Sequence, residues 1–280
     1  LPYTTLFRSL TKLFHLLPSE LSHKLALEGL KIITFLGFKV RSDSNSLTLL
    51  NINFANKLGL AAGLDKNGDY IDSLSALGFG FLEIGTVTPR PQKGNQKPRL
   101  FRVKSQKALV NSMGFNNKGV DYLVNKVKAR NSNTPLGISI GKNSDTPIES
   151  ALDDYLLCLD KVYKLADYVA INISSPNTKN LRELQSKGYI DKLLLSIRDR
   201  QLALASIDGY TPILIKISPD MNMEELKFLS QSVLENNLDG IICTNTTTQH
   251  SHFSEGGGLK YIAVYLLCIV ANISGSFMGL

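Results

Sequence analysis

The chain has 280 residues, of which 43% are hydrophobic and 20% charged; this composition suits one large α/β domain or two smaller ones and argues against disorder. Lys and Arg number 31 against 24 Asp and Glu, a net charge of +7, which would steer anionic ligands or favour an anionic membrane surface. Dense basic runs with interleaved aromatics are missing, which disfavours nucleic-acid binding, and the three cysteines and four histidines have neither disulfide nor metal-ligand spacing.

Residues 1–45 are predicted to form an N-terminal amphipathic helical segment, broken at Pro18 and ending at Gly37. Residues 1–41 hold six Lys or Arg against two Glu, a net charge of +4. The segment either packs as a helical hairpin on the main domain or lays a basic amphipathic face on a membrane, and the two roles are compatible. After Pro18 one face is predicted to carry Leu21, Leu25, Ile32, Ile33 and Leu36.

Residues 46–259 open with a possible short hairpin over 47–54 and then alternate apolar strands with amphipathic helices, which is typical of a parallel sheet covered by helices. The clearest helix is predicted over Pro147–Ala166, with Thr146 and Glu149 as a capping box. We predict an α/β fold, a TIM (β/α)8 barrel, from six strands. The predicted strands are Leu58–Ala62, Phe81–Gly85, Leu136–Ile140, Tyr168–Ile173, Pro212–Ile217 and Gly240–Thr244.

The alternation stops at about Leu259. Residues 261–280 contain no charged residue and predict no seventh strand followed by a helix. We interpret 260–280 as an off-pattern apolar tail on a truncated or frame-shifted chain that lacks the last two βα units. A membrane anchor, for which the length suffices, and a different barrel ending are the alternatives.

Polar segments follow the predicted strands, at the end of a parallel barrel where active sites lie. None contains a histidine, so a Ser-His-Asp triad is not supported. Lysines, amides and hydroxyls around one mouth suit a planar cofactor and a small anionic planar substrate. The segments are AAGLDKNG at 61–68, GTVTPRP at 85–91, NSMGFNN at 111–117, NISSPNT at 172–178, KISPD at 216–220 and TNTTT at 244–248.

Ser175 is the candidate catalytic residue in these segments. It precedes Pro176, which pushes its backbone towards extended geometry and would hold the hydroxyl at a fixed place in the mouth. A serine in a turn is more often structural. Its neighbours Asn172 and Asn177, and Lys66 expected across the mouth, favour the catalytic interpretation.

The segments AAGLDKNG, EIGTVTPRPQKGNQKPRLFR, NSMGFNNKGVD, INISSPNT and CTNTT, spread over about residues 10 to 259, resemble the dihydroorotate dehydrogenase family. The serine of NISSPNT resembles the quinone-dependent class, whose soluble counterparts carry cysteine. The resemblance implies oxidation of dihydroorotate to orotate in pyrimidine biosynthesis, with FMN as hydride acceptor and a membrane quinone as final acceptor. It also implies an N-terminal segment that forms the quinone entrance, and a peripheral protein on the cytoplasmic face of a bacterial membrane.

The resemblance also implies roles for individual residues. Ser175 would take the C5 proton of dihydroorotate, with Thr178 and Phe115 ordering and gating the proton route. Cofactor contacts would come from Ala62, Gly63, Leu64, Asp65, Lys66, Thr86, Ser139, Asn172, Lys216 and Thr244. Substrate contacts would come from Lys66, Asn111, Ser112, Met113, Gly114, Phe115, Asn172, Asn177, Asn245 and Thr246. No metal is expected.

Two departures from the family pattern stand out. Ser139 occupies a position where the family has asparagine at the flavin, which predicts weakened FMN binding. From Lys260 onward the glycine-rich turns that hold the FMN phosphate in the family are not found. An inactive fragment that cannot hold FMN, and another FMN barrel oxidoreductase acting on a related pyrimidine, are therefore the alternative functions.

Overall fold

The computed structural model describes residues 12–40, 45–104, 108–178, 181–185 and 189–248, and the backbone alone of 187–188, 262–263 and 268–271. Residues 12–16 are helical. The longer helices are α1 (Ser19–Phe35), α2 (Ile71–Ser75), α3 (Val120–Lys128), α4 (Ala151–Val162), α5 (Lys187–Asp208) and α6 (Met223–Glu235). The first six strands are β1 (Leu47–Leu49), β2 (Ile52–Phe54), β3 (Gly59–Leu60), β4 (Phe81–Val87), β5 (Leu100–Val103) and β6 (Ala108–Asn111). The others are β7 (Leu136–Ile140), β8 (Tyr168–Asn172), β9 (Ile213–Lys216), β10 (Gly240–Cys243), β11 (Ile262–Ala263) and β12 (Cys268–Ala271).

One curled sheet carries the fold, in the order β12-β10-β9-β8-β7-β4-β3. Strands β3, β4, β7, β8, β9 and β10 are parallel to their neighbours in this group. They match the six predicted strands, so the predicted TIM-type α/β architecture is confirmed over this part of the wall. The outward side chains of β4 and β7 pack on the surrounding helices, because successive residues of a strand point to opposite faces.

The structure has strands in two regions where none was predicted. In the tail 260–280 these are β11 and β12, and β12 runs antiparallel to β10, with Gly240 opposite Ala271. A parallel seventh strand with its helix is not found among the described residues. The antiparallel hairpin β5–β6, onto which β11 adds, was not predicted, because Arg102 and Asn111 interrupt its apolar residues.

The amino end of the barrel is closed by an apolar plug. The inward side chains of Phe81, Tyr168, Leu214 and Ile242 form a buried cluster with Phe54 of β2. The predicted hairpin over 47–54 is confirmed as β1 paired with β2. Because this end is filled by described residues, we expect a ligand at the opposite end, at the carboxyl ends of the strands.

The helix predicted over Pro147–Ala166 is shorter than expected. Residues 148–150 and 163–165 form 3-10 turns on either side of α4. The predicted capping box at Thr146 is wrong, since the hydroxyl of Thr146 donates to Asp154 at 2.7 Å instead. The capping box of this chain lies at α6, where Asn222 accepts from Glu225 N and Glu225 accepts from Asn222 N.

Helix α1 lies against the β5–β6 hairpin and ends at Phe35, two residues before the predicted stop at Gly37, which has φ +92°. Glu20 accepts from Arg99 at 3.0 Å, and Arg102 donates to the carbonyl of Leu17 at 2.8 Å. The predicted apolar face is turned to the solvent rather than to the barrel: Leu25 is 43% exposed, Ile32 62% and Leu36 76%. The helix buries Leu27 instead.

Gly80, at the start of β4, provides a stability test. A Cβ added there would lie 2.0 Å from the carbonyl oxygen of Asn56, whereas a Cβ at Gly29 in α1 would meet nothing within 4 Å. We expect Gly80→Ala to lower the free energy of unfolding by about 1–3 kcal/mol, since backbone must move. Gly29→Ala is the control and should raise it by up to about 1 kcal/mol, because alanine favours a helix. Urea unfolding measures both; equal effects would contradict the packing described here.

Candidate active site

A cavity of about 690 Å³ opens at the carboxyl ends of the parallel strands, a size typical of ligand sites. Most residues predicted from the sequence line it. They are Ala62, Gly63, Leu64, Asp65, Lys66, Thr86, Asn111, Met113, Gly114, Phe115, Asn172, Ser175, Asn177, Lys216, Thr244, Asn245 and Thr246. Residues far apart in the chain therefore meet around one space.

Three predicted residues lie outside the cavity lining. Ser139 is fully buried, and its hydroxyl lies 2.9 Å from that of Thr86, which does line the cavity. The backbone of Ser112 bonds Arg99 and Asn95 in the hairpin region. The Thr178 hydroxyl is buried with no hydrogen-bond partner among the described residues. These three residues therefore lie behind the cavity lining rather than in it.

The loop after β3 turns Lys66 towards the cavity. The buried carboxylate of Asp65 accepts the backbone N–H groups of Asn67, Asp69 and Tyr70 at 3.3, 3.0 and 2.8 Å. These bonds fix the conformation of the turn, and Lys66 is the residue that follows Asp65 in it. Burial raises the pKa of Asp65, against the effect of the three amides.

Lys66 is a cation without a partner. Among the described residues it makes no hydrogen bond or ion pair. Burial first, and then the charge of Arg99, lower its pKa to about 8, against the opposing effect of Glu20 and Asp65. A cation held in this way favours a ligand that brings negative charge or acceptor atoms into the cavity.

Ser175 lies in the segment after β8 and is 5% exposed. Its Oγ accepts from the backbone N–H of Asn177 at 3.3 Å. The side chain of Asn177 in turn donates to Asn111 at 3.2 Å, and Asn95 donates to the carbonyl of Asn177 at 3.3 Å. The Ser175 segment is thus tied to the Asn111–Phe115 loop, as a shared substrate site requires.

The end of β8 is joined to the ends of two other strands through Asn172. Its Nδ2 donates to Thr86 at 2.7 Å. Its Oδ1 accepts from Ser174 at 3.1 Å and from Asn245 at 3.4 Å. Three segments that were predicted separately therefore form one hydrogen-bonded network.

Arg182 stabilises the same segments from behind, and the sequence did not single it out. It donates to the carbonyl of Ser174 at 3.2 Å and to Asp220 at 2.9 Å. Asp220 also accepts the backbone N–H of Thr248 at 2.8 Å. The ion pair joins the segments after β8, β9 and β10, and no local sequence pattern predicts such a long-range contact.

The residues that line the cavity next to α1 were also not predicted from the sequence. Glu20, His23, Lys24, Leu27, Glu28 and Lys31 line it, together with Arg99 of the hairpin. Burial, followed by the charge of Lys66, lowers the pKa of His23. Tyr70, beside the Lys66 loop, donates to Glu28 at 2.7 Å. The excess of basic residues in this segment was the available signal, but it did not indicate which of them face inward.

The donor set favours an organic cofactor. Gly63 has φ +115°, and an added Cβ would meet nothing within 4 Å, so a flat ring can approach its bare backbone. Lys66 and Lys216 supply cations and Asn172, Asn177 and Asn245 supply amides to the same space. Groups of three or more His, Cys, Asp or Glu with metal-binding geometry are not found in the described part of the chain.

Residues 45–257 match the family model described as "Dihydroorotate dehydrogenase". A dihydroorotate dehydrogenase (quinone) of Acinetobacter baylyi is 51% identical over 261 residues, which cover 90% of this chain and 78% of that protein. The protein of the same name from Pectobacterium atrosepticum is 51% identical over 259 residues, covering 89% and 77%.

Two solved structures of the Eimeria tenella DHODH share the fold. The complex with ferulenol has a TM-score of 0.73 and 33% identity, covering 82% of this chain and 67% of that one. The ligand-free form has a TM-score of 0.74 and 32% identity, covering 85% and 74%.

The lowered pKa of Lys66 predicts a specific pH dependence of stability. Its folded pKa of about 8 lies below the ordinary lysine value of 10.5, so the unfolded chain binds more protons between these values and stability rises with pH there. We expect Lys66→Met to remove this part of the rise, and the exposed-lysine control Lys57→Met to retain it. Urea unfolding across that interval measures the slope; a wild-type slope in Lys66→Met would show that Lys66 is not strained by burial.

Proposed function

Because the chain belongs to the dihydroorotate dehydrogenase family, we propose that its cavity binds FMN together with dihydroorotate and that α1 guides a quinone to it. The reaction is the oxidation of dihydroorotate to orotate in pyrimidine biosynthesis, with a quinone as the final electron acceptor. The unpartnered Lys66, inside a cavity lined by amides and hydroxyls, is the observation that supports this site most strongly.

The residues present fit FMN. The bare backbone at Gly63 leaves space for a planar ring, and Lys66, Thr86, Asn172, Lys216 and Thr244 surround that space. When bound, FMN accepts a hydride and passes electrons to the quinone. Lys66 would balance negative charge on the flavin, and Lys216, already paired with Glu83, would donate hydrogen bonds to it. The hydroxyl of Ser139 bonds Thr86 instead of reaching the cavity, so weakened FMN binding stays our prediction for this position.

Dihydroorotate would lie between Lys66 and the three segments that carry Asn111, Ser175 and Asn245. Its carboxylate matches the cation of Lys66, and its ring C=O and N–H groups match the amides, which both donate and accept. The carbonyl oxygen of the Asn177 side chain is buried without a partner among the described residues. It can therefore accept from a ring N–H without first losing another hydrogen bond.

Ser175 would act as the base that removes a proton from dihydroorotate. A hydroxyl is a weak base and needs an onward route for the proton. The buried hydroxyl of Thr178, unpartnered in the described residues, is free to take part in that route. Phe115, 7% exposed and at φ +51°, lies in the cavity wall and would restrict the entry of water.

The N-terminal segment 1–45, with α1 as its described helix, would provide the membrane contact and the quinone entrance. Its exposed leucine and isoleucine side chains lie close to Lys24 and Lys31 at the cavity rim, as on helices that rest in a membrane interface. Within the described residues, no helix combines the length and the apolar character needed to cross a bilayer. From the exposed apolar side chains of α1 we propose peripheral attachment, on the cytoplasmic face if the host is bacterial.

Ser175→Ala tests the base. We expect the rate of flavin reduction by dihydroorotate in a single turnover to fall by about 10²–10⁴-fold, because proton removal loses its acceptor. FMN content should not change. Ser206→Ala, on the exposed side of α5, is the matched control. A wild-type single-turnover rate in Ser175→Ala would refute the assignment.

Leu25→Ser combined with Ile32→Ser tests the membrane face. We expect the reaction with quinone in lipid vesicles to weaken by about tenfold or more, because two exposed apolar side chains no longer enter the lipid. The reaction with a water-soluble acceptor should be unchanged. The matched control replaces Leu195 and Leu202, which are 54% and 49% exposed on α5. Equal losses in both double variants would contradict a specific role of α1.

A further inference from the structure

Beneath the cavity, a buried polar chain crosses the inside of the barrel. Lys216 Nζ lies 2.8 Å from Oε1 of Glu83, and the Tyr168 hydroxyl donates to Oε2 of Glu83 at 3.1 Å. Glu83 is 0% exposed, Tyr168 1% and Lys216 5%. Lys216 lines the cavity, whereas the other two residues lie behind it.

The strand register sets up this arrangement. Glu83 of β4 is opposite Gly137 of β7, and Gly137 is opposite Tyr168 of β8, so the three share one row. A Cβ added at Gly137 would lie 2.1 Å from Cζ of Tyr168 and 2.5 Å from its hydroxyl oxygen. The tyrosine ring therefore passes directly over the glycine to reach Glu83.

Stability alone does not account for the ion pair. Removing two charges from water is costly, and well-packed apolar replacements of buried ion pairs are often neutral or stabilising. Apolar side chains can fill the inside of the barrel, as Phe81 and Leu214 do nearby. A charged pair directly under the cavity is better explained by an effect on what binds there.

We propose that Glu83 is a positioning residue that pairs with Lys216 and aims its ammonium group at the ligand, and that Tyr168 holds the Glu83 carboxylate in place. An ammonium group has three donors. Lys216 makes one hydrogen bond among the described residues, to Glu83, which leaves donors for an acceptor in the cavity. Burial and the Glu83 charge raise the pKa of Tyr168, so its phenol remains the donor.

The proposal rests on the proposed function in one respect: the acceptor is the flavin. Glu83→Gln would leave the ammonium group without its counter-charge, which favours the more electron-rich reduced flavin and raises its midpoint potential. Tyr168→Phe would leave Oε2 without its donor, which concentrates negative charge below the flavin and lowers the potential. A loss of packing would not produce opposite shifts in two variants of one cluster.

The first experiment needs no flavin. Lysine side chains are labelled with ¹⁵N, and the Lys216 resonance is assigned by its loss in Lys216→Met. From about pH 6 to about pH 9 we expect the Nζ protons of Lys216 to exchange with water more slowly in the wild type than in Glu83→Gln, since the hydrogen bond to Oε1 of Glu83 protects them. Exchange at the same rate in both proteins would overturn the proposal.

The second experiment measures the midpoint potential of FMN bound to the whole chain. Towards the acidic end of that range, the preference of Glu83→Gln for reduced over oxidised FMN should increase by about tenfold or more, and that of Tyr168→Phe should decrease. The control is Tyr163→Phe, another buried tyrosine, whose hydroxyl accepts from Thr211 N in the outer core; its potential should match the wild type.

Shifts of equal sign in both variants, or none, would overturn the positioning role. If Glu83→Gln does not fold, the sign of the Tyr168→Phe shift decides. A wild-type chain that takes up no FMN would instead contradict the proposed function, and the labelled-lysine experiment would then decide the role of Glu83 by itself.

Discussion

The side-chain amide of Asn172 joins the ends of β4, β8 and β10. One donor reaches Thr86, and the carbonyl oxygen accepts from Ser174 and Asn245. Parallel strands bring their carboxyl ends to one edge of the sheet, but they do not by themselves set the distance between the loops that follow. A fixed amide between them does so, and each residue around the cavity takes its position relative to this network. The ion pair of Arg182 and Asp220 stabilises the same loops from the outer side.

The two ends of the cavity present their lysines in different ways. At the rim, burial first and then the charge of Arg99 lower the pKa of Lys66. At the floor, Lys216 is paired with Glu83, and the pair as a whole is neutral. The rim therefore offers a charge that a small anion can neutralise, while the floor offers hydrogen-bond donors without a net charge. This division suits an anionic substrate and a planar cofactor held side by side.

Helix α1 links the cavity to its surroundings. It contributes His23 and Glu28 to the cavity wall, and it holds the β5–β6 hairpin through Glu20 and Arg99. Its apolar residues on the opposite side have no partner in the described protein. A ligand that arrives from an apolar phase along this helix would reach the Lys66 loop directly, because Tyr70 of that region bonds Glu28.

The sequence by itself determined the parallel strands and the segments that carry the cavity residues. Short apolar runs such as Leu136–Ile140 are buried on both faces, which is typical of strands in a parallel sheet. The residues after each of these strands must then lie at one end of the barrel. Local patterns were less reliable: the capping box expected at Thr146 formed at Asn222, because Asp154 competes for the Thr146 hydroxyl.

Only the tertiary structure decided which side chains meet. Glu83, Gly137 and Tyr168 are separated widely in the chain and become neighbours through strand register. Arg182 reaches Asp220 only because the loops after β8 and β9 lie side by side. Even for Ser175, which its local segment singled out, the tie to Asn111 through Asn177 comes from packing. Periodicity and motif spacing report on contacts along the chain, whereas these contacts depend on how the strands are paired and how the barrel curls.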